Sequence, residues 1–71
     1  MSAYDQMNAI LSDLSIARAN EPDASKFCVL AMAAIEKIDA LGNEISIKSY
    51  GEAAMQVIDL YRSYSETEGS G

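Results

Sequence analysis

The residues of this chain that could do chemistry are one cysteine, two carboxylates three positions apart, and four tyrosines. Cys28 lies inside the longest apolar run, Phe27-Cys28-Val29-Leu30-Ala31-Met32-Ala33-Ala34-Ile35. A reactive thiol needs a cationic neighbour to lower its pKa. Lys26, two positions away, points elsewhere on a helix, so Cys28 is expected to be a reduced, buried, structural thiol. As the single cysteine it can form no internal disulfide. Glu36 and Asp39 would lie about 60° apart around a helix axis. A hard cation wants about six oxygens or more, and no D-x-[DN]-x-[DN]-G loop supplies them. Paired acids for glycoside hydrolysis would need a cleft that so small a chain hardly provides. The pair reads as a solvated acidic face. Tyr4, Tyr50, Tyr61 and Tyr64 are expected at the edge of the core with their hydroxyls in water.

Other chemistry drops out by composition. The chain has no histidine, which removes Ser-His-Asp and Cys-His nucleophile systems and histidine metal sites. One cysteine removes thiolate zinc sites and iron–sulfur clusters. The glycines at 42, 51, 69 and 71 form neither G-x-G-x-x-G nor G-x-x-x-x-G-K-[ST], so no phosphate loop is present. Acyl carrier proteins are likewise short, acidic and helical, and they carry a phosphopantetheine on the serine of an Asp-Ser-Leu motif opening the second helix. Here Ser12-Asp13-Leu14 has the wrong order and falls within the first helix, and the second opens Asp23-Ala24-Ser25-Lys26. No cofactor, no metal and no enzymatic activity are expected.

Eleven acids against five bases give a formal charge of −6. Such a surface repels phosphate backbones and anionic headgroups, so direct binding to nucleic acid or membrane is not expected. No apolar run approaches the roughly 18–20 residues of a membrane span. The opening Met1-Ser2-Ala3-Tyr4-Asp5 lacks the basic start and apolar stretch of a secretion signal, and a cytoplasmic location is expected.

Three amphipathic helices must position these residues. Ser2 with Asp5 resembles a capping box. Tyr4, Met7, Leu11 and Leu14 then recur at helical spacing, widened by Ile10 and Ala17, which predicts a helix over 3–19. Asn20-Glu21-Pro22-Asp23 breaks it, because proline and acids belong at a helix start. The second helix is expected over 23–41, stopped by Gly42-Asn43, which tolerate the left-handed conformation. Glu44-Ile45-Ser46-Ile47-Lys48 alternates polar and apolar with no second strand to pair with. It reads as part of an extended 42–48 connector tucking Ile45 and Ile47 under the helices. Ser49-Tyr50-Gly51-Glu52 is an S-x-x-E capping box, predicting a third helix over 49–64 with Tyr50, Ala54, Val57, Tyr61 and Tyr64 inward.

The fold class is therefore all-α, a small antiparallel three-helix bundle in one domain over 1–64, with a disordered tail over 65–71. Phe27, Leu30, Ala34, Ile38, Leu11, Leu14, Val57 and Tyr61 are expected to form the core. A helix-turn-helix shape is compatible with this, but the helix that would read DNA carries Glu52 and Asp59 against Arg62 alone.

Function should appear as apolar residues that the bundle does not need. The second helix is apolar nearly all round. Val29, Met32 and Ala33 fall on the side expected to face water, with Glu36 in their midst and Asp39 at the edge. These five form the candidate partner-binding site, for another protein with a basic or amphipathic surface or for a second copy of the chain. The expected role is a non-enzymatic protein-binding regulator or small assembly module. The alternative is an acidic inhibitor imitating nucleic-acid charge, as some phage-encoded anti-defence proteins do. Its acids would be Asp5, Asp13, Glu36, Asp39, Glu52 and Asp59, spread over three helices.

Overall fold

A computed structural model of the chain describes the backbone of residues 2–69 and the side chains of residues 2–65. Among the described residues the elements are α1 (Ala3–Asn20), α2 (Ala24–Asp39), a short 3₁₀ turn (Gly42–Glu44) and α3 (Ile47–Gly69), with no strand. All three α-helices pack on one another, giving the expected three-helix bundle. Its extents of 42 × 20 × 15 Å leave every helix with one face on solvent.

Local chemistry starts each helix. Ser2 caps α1, its hydroxyl accepting the Asp5 N–H at 3.1 Å. Asp23 caps α2 by accepting the Ser25 N–H at 2.8 Å. Gly42 then takes φ 60°, the left-handed conformation that lets the chain leave α2.

The third start differs from the sequence expectation. Ser46, not Ser49, is the cap: its hydroxyl accepts the Ser49 N–H at 3.1 Å and donates to the Ser49 hydroxyl at 3.0 Å. The helix thus opens at Ile47, and the 42–48 connector is not extended. It is a 3₁₀ turn followed by extended backbone at Ile45. Five alternating residues suit an extended segment or a helix start equally, and the serine three residues earlier decides between them. Ile45 is buried as expected, whereas Ile47 is 91% exposed. At the other end α3 continues to Gly69, past the expected end at 64. The rest of the expected tail, Ser70 and Gly71, lies outside the described residues.

Phe27 and Ile38 of α2 are the largest fully buried side chains. Around them pack Met7, Leu11 and Leu14 of α1, Ala31 and Ala34 of α2, Ile45, and Ala53, Val57 and Tyr64 of α3. Two expected core residues are not there. Leu30 is 44% exposed and Tyr61 is also exposed. Both helices have apolar arcs wider than the core needs, and the inward stripe on α3 is Tyr50, Ala53, Val57, Leu60 and Tyr64, one step round from the expected one.

Tyr64 is not a core-edge residue with its hydroxyl in water. It is buried, tilts against Phe27 with ring centroids 5.4 Å apart, and donates to the carbonyl of Glu21. Tyr4 does the converse at the opposite end, its exposed hydroxyl accepting the Ser46 N–H at 3.1 Å. Cys28 is half-buried, more open than expected.

Candidate functional site

The exposed side of α2 carries the candidate residues. Val29 is 67% and Met32 61% exposed, and Glu36 and Asp39 are exposed as well. Ala33 is half-buried. A helix turns by about 100° per residue, which spreads these five over roughly a third of the circumference. They share one outward face of the helix, with Ala33 at one edge and Asp39 at the other.

One edge faces α1. Leu30, Ala33 and Lys37 line a shallow groove of about 160 Å³ with Ile10, Asp13, Leu14 and Ala17 of α1. The other edge faces α3. Asp39 lines a hollow of about 290 Å³ with Gly42, Asn43, Ile45, Ser46, Ile47 and Tyr50. Val29, Met32 and Glu36 sit on the crest between the edges. A third hollow, of about 280 Å³, lies between α1 and α3, lined by Ser15, Gln56, Asp59, Leu60 and Ser63. Each of the three is smaller than the roughly 300–1,000 Å³ that encloses a drug-sized ligand.

The sequence places Ile16 and Met55 off the inward stripes, but Ile47, Ile58 and Tyr61 of α3 read as inward and are not. Ile47, Met55, Ile58 and Tyr61 of α3 are large, apolar and open to solvent, as is Ile16 of α1. The signal was present as spacing. Ile47, Gly51, Ala54, Ile58 and Tyr61 recur at four, three, four and three, a second helical stripe beside the buried one.

Among the described residues no three carboxylate or thiol groups converge to hold a metal ion, and no helix is long and apolar enough to cross a membrane. The phenol of Tyr4 is held below its ordinary value of 10.0, chiefly because the Ser46 N–H donates to it and favours the phenolate. No family model matches the chain, and neither a curated protein nor a solved structure was found similar to it.

Proposed function

We propose that this chain is a non-enzymatic protein-binding module whose contact surface is the crest of α2, from Val29 through Met32 to Glu36. The observation that supports this reading is the exposure of Val29 and Met32, 67% and 61%. Neither side chain belongs to the buried core, and together they form an apolar surface with Glu36 in its midst and Asp39 at its edge. That composition suits a partner whose surface is apolar with a basic rim. Methionine adapts its shape to the partner and fits an interface centre.

The test is the double variant Val29→Lys, Met32→Lys. Both positions are exposed helix sites, so helical content and melting temperature should stay within the small range of surface substitutions. Partner capture should be lost, since a central apolar anchor is typically worth about 2 kcal/mol or more. Capture equal to that of the parent would sink the proposal. A salt series on any captured partner adds a second reading. Binding that collapses steeply with ionic strength points to charge mimicry by the dispersed carboxylates, and binding that persists points to the apolar crest.

A further inference from the structure

We draw no further inference here: the strongest candidate, the apolar patch on α3 formed by the exposed Ile47, Ile58 and Tyr61, carries nothing, because nothing in the structure shows what covers it.

Discussion

The guanidinium of Arg18 lies 3.6 Å above the ring centroid of Tyr64, at the end of the bundle where α1 gives way to α2. The same ring tilts against Phe27 on its inner side, and its hydroxyl holds the carbonyl of Glu21. Arg18 is fixed in turn through its Nε, which donates to the Ser63 hydroxyl. One aromatic residue of α3 thereby joins the core, a cation of α1 and the turn between α1 and α2.

Tyr64→Phe keeps the ring and removes the hydroxyl, leaving the Glu21 carbonyl without that donor. The expected loss is about 0.5–1.5 kcal/mol in denaturant unfolding. Arg18→Ala removes a partly desolvated cation–π contact, worth about 0.5–1 kcal/mol or somewhat more. The pair should be non-additive when combined, since the two groups touch.

Phe27→Ala should cost about 3–5 kcal/mol, a large share of the stability of a 71-residue domain. Leu30→Ala, on the same helix, should cost clearly less than the 2–5 kcal/mol or so typical of a buried leucine. Its side chain is 44% exposed and borders an open groove. Equal melting temperatures for the two variants would contradict the orientation of α2.

Ser46→Ala should destabilise by about 1 kcal/mol through loss of the α3 cap. Ser49→Ala should cost less, since the Ser49 backbone N–H keeps its acceptor in the Ser46 hydroxyl. The reverse ranking in thermal melts would place the helix start at the S-x-x-E box after all.

Because the Tyr4 phenol is lowered in the folded state, folding favours its ionised form. The stabilisation is present in full only above the unfolded value near 10 and is lost as pH falls through the folded value, so it is absent at neutral pH. Absorbance titration at about 295 nm should show a step below pH 10 that Tyr4→Phe removes, together with an alkaline stability gain. A curve unchanged by that substitution would rule out the Ser46 contact in solution.

The class of fold was legible because each helix carries its own period, Ser2 caps the first in plain sight, and the break at Asn20-Glu21-Pro22-Asp23 marks the start of the second. The third start was harder. Ser46 and Ser49 are both competent caps, and the structure uses the first, with Ile45 buried beside it. Orientation was legible where a helix has one narrow apolar face, as α1 has. On α2 and α3 the apolar arc is wide enough to hold two stripes, so Leu30 and Tyr61 were placed inside when each lies just outside. The surplus that obscured the core is the same surplus that forms the candidate site. Val29, Met32, Glu36 and Asp39 could be placed on the outer side from their spacing, whereas Ile47, Ile58 and Tyr61 form a second stripe that spacing alone does not tell from the buried one.

The two tyrosine hydroxyls act on α1 and α3 as the jaws of a caliper. Tyr4 meets the Ser46 backbone at one end and Tyr64 meets the Glu21 backbone at the other, across sequence separations of 42 and 43 residues. At about 1.5 Å per residue, roughly 26 Å of α1 separates Tyr4 from Glu21, and roughly 27 Å of α3 separates Ser46 from Tyr64. The two lengths match only because both segments have nearly the same number of residues. Inserting or deleting one residue between the jaws would offset them by about 1.5 Å and swing one tyrosine about 100° away from its carbonyl or amide. A change of length in one segment therefore calls for a matching change in the other if both hydroxyl contacts are to be kept.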